Sequence, residues 1–154
     1  MNRFFKPLLA LGFALCVQRA MLAETPSQPL LFEVSPQNKV MHEYHGIKLS
    51  MKRDEVLTTM GKPESSNDTS DEFKLTGDDT MTVHYESGAV KAIQLAFLDA
   101  KNAPAWNQVV GDAEVKELAN GAKSSRKTVD EEKYWVSIYQ SKDKSMTRVT
   151  MSRN

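Results

Sequence analysis

Cysteine is nearly missing from this chain of 154 residues, in which Cys16 is the single example. One cysteine cannot close a disulfide within its own chain. Cys16 also lies in an N-terminal segment that we expect to be removed, so the mature chain has no thiol. A disulfide-stapled fold and catalysis by a cysteine nucleophile are therefore both excluded for the mature chain.

An excess of charge of one sign is missing as well, because 20 Lys and Arg balance 20 Asp and Glu. Loss of Arg3, Lys6 and Arg19 with the N-terminal segment lowers the basic count from 20 to 17 and leaves a net charge near −3. Binding to nucleic acid depends on a strongly basic surface. We therefore expect no nucleic-acid partner.

Catalytic motifs and long apolar runs are the third absence. The chain has no Gly-x-Ser-x-Gly element, phosphate-binding loop or dinucleotide fingerprint. After residue 23 no apolar run approaches the roughly 20 residues of a membrane-spanning helix. We predict a protein that is not an enzyme, needs no cofactor and has no integral membrane segment in its mature form.

Residues 1–23 have the pattern of a secretory signal peptide. Arg3 and Lys6 give a basic start, and an almost continuous apolar run follows over residues 8–17. Ala23 then supplies a small residue at a plausible cleavage point. The pattern predicts an exported protein.

Lipid anchoring at Cys16 is not favoured, because Leu15 precedes it where a lipidation signal usually has a small residue. Export of a chain without disulfides fits the bacterial periplasm better than the extracellular space. We therefore expect a periplasmic protein that carries no lipid.

The rest of the chain divides into a tether and one domain. Residues 24–37 contain three prolines among Ser and Gln and are typical of an extended tether. Residues 38–154 have the length of a single domain. Within it we predict two degenerate repeats, over about residues 38–99 and 102–152.

A short helix organises the first repeat. Val56, Leu57 and Met60 form one apolar stripe at helical spacing, Gly61 suits the helix C-terminus, and Pro63 prevents the helix from resuming. A preceding helix is predicted over residues 38–44. Both helices are expected to pack on the strands that follow.

Three strands with alternating apolar residues follow this helix pair. Ser87-Gly88 predicts a tight hairpin turn, and the phase slip between Val90 and Ile93 predicts a bulge near Ala92. The apolar positions, which we expect to face the helices, are Phe73, Leu75, Met81, Val83, Tyr85, Ile93, Leu95 and Phe97.

The second repeat is predicted in the same order. Helices are expected over residues 104–110 and 112–119, a basic turn over 123–127, and strands over 134–139 and 147–151. The predicted fold class is α+β, with short helix pairs on one face of an antiparallel sheet.

The opposite face of this sheet is the candidate binding site. If Tyr134, Val136 and Ile138 face the helices, alternation exposes Trp135 and Tyr139. A register one residue away would bury both rings instead, and the sequence leaves these alternatives open. The proposed partner-binding residues are Trp135, Tyr139, His84, Arg148, Lys74 and Gln94.

Histidines raise the question of a metal site. His42 and His45 have ligand-like spacing, and His84 would be a third nitrogen ligand for zinc. Because Gly46 interrupts the segment beside His45, we interpret the pair as solvated and predict no metal site.

The segment around the first predicted helix resembles that of a known family. The run Ile47-x-Leu49-Ser50-Met51-Lys52-Arg53-x-Glu55-Val56-Leu57, followed by Gly61-x-Pro63, resembles the signature of the β-lactamase-inhibitory-protein-like modules. These include the SmpA/OmlA lipoproteins that accompany outer-membrane barrel assembly. Ser50 stands where the pattern usually has Gly, and Lys52 where it has a helix cap. The resemblance implies binding through a variable sheet surface, so no family site residue carries over.

Two functions follow from these observations. The first is a non-catalytic periplasmic module that binds a protein of the cell envelope through its open sheet face, as an assembly accessory or an inhibitor. The alternative is a small-ligand carrier or periplasmic enzyme with a pocket between helices and sheet. A pocket requires convergent polar groups on the helix-facing side of the strands, where apolar residues stand.

Overall fold

The computed structural model describes residues 40–154, which belong to one compact unit. The predicted signal peptide (residues 1–23), Cys16 and the predicted tether (24–37) lie outside the described residues. Among residues 40–154 no helix is long and apolar enough to cross a bilayer.

Ten strands and two helices make up the described part of the chain. In chain order they are β1 (Glu43–Tyr44), β2 (Ile47–Lys48), α1 (Arg53–Met60), β3 (Ser65–Ser66), β4 (Ser70–Lys74), β5 (Thr80–Glu86), β6 (Ala89–Phe97), α2 (Trp106–Val110), β7 (Lys116–Glu117), β8 (Lys123–Val129), β9 (Tyr134–Gln140) and β10 (Thr147–Arg153). Strands β1 and β2 form a separate hairpin. The other eight form one antiparallel sheet in the order β3-β4-β5-β6-β10-β9-β8-β7.

The large sheet is assembled from two halves that meet at its centre. In the N-terminal half α1 precedes the meander β3–β6, and in the C-terminal half α2 precedes the meander β7–β10. The last strands of the two meanders, β6 and β10, pair antiparallel, with Leu95 opposite Val149. Each half therefore ends inside the sheet and leaves its first, two-residue strand at an edge, where a short strand limits pairing with other chains.

The predicted α+β fold class is wrong, because the fold is mostly β. The helices hold only 8 and 5 residues, one in each half, instead of two helix pairs. The two halves share an order of one helix and four strands, whereas the prediction that they are a duplicated repeat stays a prediction.

The first missing helix is the one predicted over residues 38–44. Glu43–Tyr44 is a strand that pairs with Ile47–Lys48. His45 and Gly46 between them both have positive φ, of 50° and 79°, as a two-residue hairpin turn requires. The apolar spacing over 40–44 matched a helix, but the turn and its partner strand determined the structure.

The second missing helix is the one predicted over residues 112–119. Val115 and Leu118 are 44% and 39% exposed, so they form no buried stripe. The segment instead contains β7, which pairs with β8. The hydroxyl of Ser125 in β8 donates to the carbonyl of Glu114 at 2.7 Å and holds the segment along the sheet edge.

Strand β8 replaces the predicted basic turn over residues 123–127. Seven residues of β8 pair with β9 from Lys123 opposite Gln140 to Val129 opposite Tyr134. Its composition is polar, and Ser125 is its only buried residue. A strand with so weak an alternation forms because β9 offers it a complete hydrogen-bonding partner.

Several local predictions are confirmed. Helix α1 ends at Gly61, whose φ is 80° and whose N–H donates to the carbonyl of Leu57 at 2.9 Å. Ser87 and Gly88 have φ of 53° and 77° in the turn between β5 and β6. The register between these strands shifts after His84, which leaves Lys91 unpaired as a bulge beside Ala92.

One hydrophobic core lies on a single face of the sheet, under α1, α2 and the β1–β2 hairpin. Val56 of α1 and Val109 and Val110 of α2 are its fully buried helical members. The buried apolar strand residues of the large sheet are Phe73, Met81, Val83, Tyr85, Val90, Ile93, Leu95, Phe97, Tyr134, Val136, Ile138, Val149 and Met151. The inward positions predicted for β4, β5, β6 and β9 are confirmed, with Leu75 only partly buried.

The open face of the sheet as a candidate binding site

The face of the large sheet opposite the core carries residues that alternate with the buried set. We call this surface the open face, and three rows of cross-strand partners form most of it. The first row is Lys74, Thr80, Ala96, Arg148, Tyr139, Ser124 and Lys116, and the second is Glu72, Thr82, Gln94, Thr150, Ser137 and Arg126. The third row is Ser70, His84, Ala92, Ser152, Trp135 and Thr128. All of them keep some exposure to solvent. All buried residues of β4–β10 lie on the core face.

The register places all six proposed binding residues on the open face. Tyr134, Val136 and Ile138 are buried, so Trp135 and Tyr139 point away from the core. The other four residues lie on the same side, because all of them belong to the three rows. They are Lys74, His84, Gln94 and Arg148. Of the two registers that the sequence left open, the structure has the one that exposes both rings.

These six residues do not form one cluster. Tyr139 is the direct cross-strand partner of Arg148. Trp135 lies four residues from Tyr139 on the same strand, or about 14 Å away at the usual strand rise. Lys74 lies four strands from Tyr139, at about 19 Å. The binding residues near β9 are therefore separated from those on β4 and β5.

Arg126 is a member of the open face that the sequence interpretation missed. Its guanidinium lies over the ring of Trp135, 4.0 Å from the ring centroid. Such a cation–π contact holds both side chains in place and covers part of the ring. It was missed because residues 123–127 were interpreted as a turn. The alternation of Ser124, Arg126 and Thr128 with buried Ser125 is the signal that could have revealed it.

Charge is distributed unequally over the open face. Within the three rows its C-terminal half carries Lys116, Arg126 and Arg148 and no acidic residue, whereas its N-terminal half carries one cation, Lys74, and one acid, Glu72. Within residues 40–154 none of the three C-terminal cations forms an ion pair. Their charge therefore remains available to a partner.

The most buried ion pair within residues 40–154 lies on the core side of the sheet. Asp71 of β4 is fully buried, and Arg53 at the start of α1 binds both its oxygens, with Nε at 3.0 Å from Oδ2. The hydroxyls of Ser66 and Tyr85 donate to the same carboxylate at 2.6 and 2.9 Å. Asp71 is thus fully coordinated and links α1 to the sheet.

Titration in this cluster follows from its contacts. Burial raises the pKa of the Asp71 carboxyl, but the hydrogen bonds from Arg53, Ser66 and Tyr85 outweigh it and place the pKa below its ordinary value. Burial and the bond to Asp71 raise the pKa of Tyr85. Because every polar group here has a partner within the protein, we interpret the cluster as structural.

A cleft of about 390 Å³ on the core side is where a small-ligand site would be sought. It opens between Tyr44, Met60 and the turn before β5. Its buried carboxylate, Asp79, already accepts hydrogen bonds from the backbone N–H of Leu98 and the amide of Asn102, both at 2.7 Å. The buried carboxylate of this cleft is therefore already bonded within the protein.

The three histidines lie apart. His84 is on the open face, while His45 is in the β1–β2 turn with its ring against Tyr44, and His42 lies near Glu43. Among residues 40–154 no group of three or more His, Cys, Asp or Glu is arranged to hold a metal ion.

Comparison with known proteins gives little. No family model and no curated protein matches the chain. Among solved structures, the DUF4309 family protein YjgB from Bacillus subtilis is similar over 77% of this chain and 89% of its own, with 11% identity and a TM-score of 0.48. A likeness at this level shows neither a shared fold nor a shared function.

Proposed function

We propose that the protein is a non-catalytic, exported binding module that recognises a protein of the cell envelope through the open face of its sheet. The observation that carries this proposal is the one-sided burial of β4–β10. An eight-stranded sheet with one face under the core and the other bearing Trp135, Tyr139 and arginines presents a broad surface. Trp, Tyr and Arg are the residues that most often anchor protein interfaces.

The core side supports the same choice over a carrier or an enzyme. Its strand positions are mostly filled by apolar side chains, and its two buried carboxylates, Asp71 and Asp79, are bonded within the protein. The resemblance to the β-lactamase-inhibitory-protein-like and SmpA/OmlA modules stays part of the proposal. Whether the role is assembly or inhibition depends on the partner.

Capture from periplasmic and outer-membrane extracts tests the proposal, with the mature chain as bait. The double variant Trp135→Ala with Tyr139→Ala is expected to lose a species that the parent retains, while its melting temperature stays close to that of the parent. Thr59→Ala with Asn107→Ala is the matched control, because these exposed residues lie on the helices that cover the other face. If the double variant still captured that species, the result would contradict the proposal. Unfolding of the double variant would show that the rings are structural.

Export is proposed from the N-terminal sequence alone. Mass spectrometry of the protein from its native host is expected to give a first residue at or near Glu24. A diacylated peptide that begins at Cys16 would instead show a lipid anchor and contradict an unanchored periplasmic protein.

A further inference from the structure

We propose that the C-terminal half of the open face binds an acidic segment of a protein, with Arg126 and Arg148 receiving its carboxylates beside Trp135 and Tyr139. This inference rests on the proposed function, that the open face is a protein-binding surface. It adds the chemistry of the partner and the half of the sheet that recognises it.

The geometry of β9 and its two neighbours carries the inference. Trp135 and Tyr139 lie on β9, Arg126 lies on β8 over the Trp135 ring, and Arg148 lies on β10 opposite Tyr139. Each ring therefore has an arginine beside it, from opposite sides of the strand. A guanidinium that stacks on a ring keeps the N–H groups of its edge free, and these match a carboxylate in a two-bonded geometry.

The surrounding charges favour an acidic partner. Lys116 at the edge of the sheet adds a third cation, and Arg126, Arg148 and Lys116 form no ion pair within residues 40–154. One acid, Glu114, lies at the margin, in the cleft that it shares with Lys116 and Arg126. The other residues that this half-face contributes to the three rows, apart from the two rings, are Ser and Thr, so within the rows an approaching carboxylate meets three cations and no acid.

Other anionic partners fit this surface less well. Surfaces that bind anionic lipid typically carry clusters of four to eight basic residues, and nucleic acid binds a strongly basic domain. Here three cations lie on a chain whose basic and acidic residues balance at 20 each. Two aromatic rings paired with arginines are instead typical of the anchors in protein interfaces.

The spacing of the two arginines limits the partner further. Their Cα atoms are separated by two strand spacings across the sheet and by two residues along the strand direction. At ordinary strand dimensions this is a distance of about 12 Å. An extended segment advances about 3.4 Å per residue. Two acidic residues about three or four positions apart therefore match the pair, with an apolar residue near them for the rings.

Selection from a library of random peptides on the immobilised full chain, purified as its host processes it, tests the inference. Peptides rich in Asp and Glu are expected to be enriched, and their binding is expected to weaken as NaCl is raised. In calorimetric titration with a selected synthetic peptide, Arg126→Gln with Arg148→Gln is expected to weaken binding about tenfold or more. Lys62→Gln, which removes an exposed cation after α1 and outside the open face, is the control and is expected to change the affinity less than about twofold. Circular dichroism melting shows that each variant folds.

The other outcomes overturn the inference in different ways. Enrichment of neutral peptides that depend on Trp135 and Tyr139 but not on the arginines would exclude an acidic partner and leave the proposed function standing. Enriched peptides that depend on neither pair would contradict both. Arginine-dependent binding to vesicles of equal parts phosphatidylglycerol and phosphatidylcholine, without any selected peptide, would make the surface a lipid site and exclude the acidic protein segment.

Discussion

The two halves of the sheet have the same order of elements but place their charges differently. In the N-terminal half the main ion pair, Arg53 with Asp71, is on the core side and ties α1 to β4. In the C-terminal half no such pair joins α2 to the sheet within residues 40–154, and Arg126 and Arg148 lie on the open face. One half uses its charges to hold the fold together, and the other leaves them available for recognition.

The ion pair between Lys127 and Asp112 sharpens this contrast. It joins β8 to the segment after α2 at 3.2 Å, and both side chains are largely exposed. Exposed pairs add little stability because water screens them, whereas a buried pair is costly to break. We therefore predict that the stability of the protein depends on the pair of Arg53 and Asp71 in the N-terminal half. Binding is expected to depend on the arginines of the C-terminal half.

The largest expected effect tests whether α1 packs on the shared core. Val56→Asp places an unpaired charge at a fully buried position and is expected to lower the free energy of unfolding by about 4 kcal/mol. Leu118→Asp, at an exposed apolar residue of the C-terminal half, is the control, with a change within about 0.5 kcal/mol. Urea unfolding measures both. A Val56→Asp protein that melts within a degree or two of the parent would show that α1 does not contribute to the core.

The next effect compares the two ion pairs directly. Asp71→Asn leaves the Arg53 guanidinium without its counter-charge and is expected to cost about 3 kcal/mol. Asp112→Asn, which breaks the exposed pair with Lys127, is expected to leave the urea midpoint close to that of the parent. Equal losses in the two variants would remove the contrast between the halves.

The pH dependence of stability tests the same buried ion pair, and the expected effect is smaller than that of the substitutions. The pKa of Asp71 is lowered in the folded protein, so its contribution is fully present above the ordinary carboxyl pKa near 4 and is lost as the pH falls through the lowered value. Urea unfolding of the parent is expected to lose stability below about pH 4, and Asp71→Asn is expected to lose less over the same range. Parallel pH curves would show that the buried pair is not what acid disrupts.

The smallest effect concerns the open face. Arg126→Gln removes the cation from the Trp135 ring and is expected to lower the free energy of unfolding by about 0.5–1 kcal/mol. The indole fluorescence of Trp135 is expected to change with the loss of its neighbour. An unchanged spectrum would mean that the guanidinium does not lie on the ring in solution, and Arg148→Gln serves as the control because no ring contact of Arg148 is seen among residues 40–154.

The strands with strong alternation were predictable, and those without it were not. In β5 apolar residues alternate with polar ones over seven residues, so the alternation determines both the strand and its buried face. In β9 large side chains occupy both faces, so the pattern predicts the strand but leaves its buried face open. In β8 one residue is buried, and in β7 none, so no periodicity marks them. Both exist because each finds a partner strand beside it.

The candidate site divides in the same way. Trp135 and Tyr139 were candidates because they alternate with Tyr134, Val136 and Ile138, but the sequence left two registers open and the structure decided which face the rings occupy. Arg126 was not, since its place depends on the pairing of β8 with β9. The helical spacing of apolar residues over 112–119 predicted a helix that does not form. A short helix is stable only when its apolar residues pack against another part of the protein.

By itself the sequence determined the residues that can be buried, the turns that need positive φ at Ser87-Gly88 and Gly61, and the alternation of the central strands. These are local properties, because each depends on the side chains and backbone freedom of a few neighbouring residues. Only the tertiary structure decided that β6 pairs with β10, that the polar edge segments are strands, and that Arg126 lies on Trp135. Such features depend on hydrogen-bonding partners far away in the chain, which no local pattern specifies.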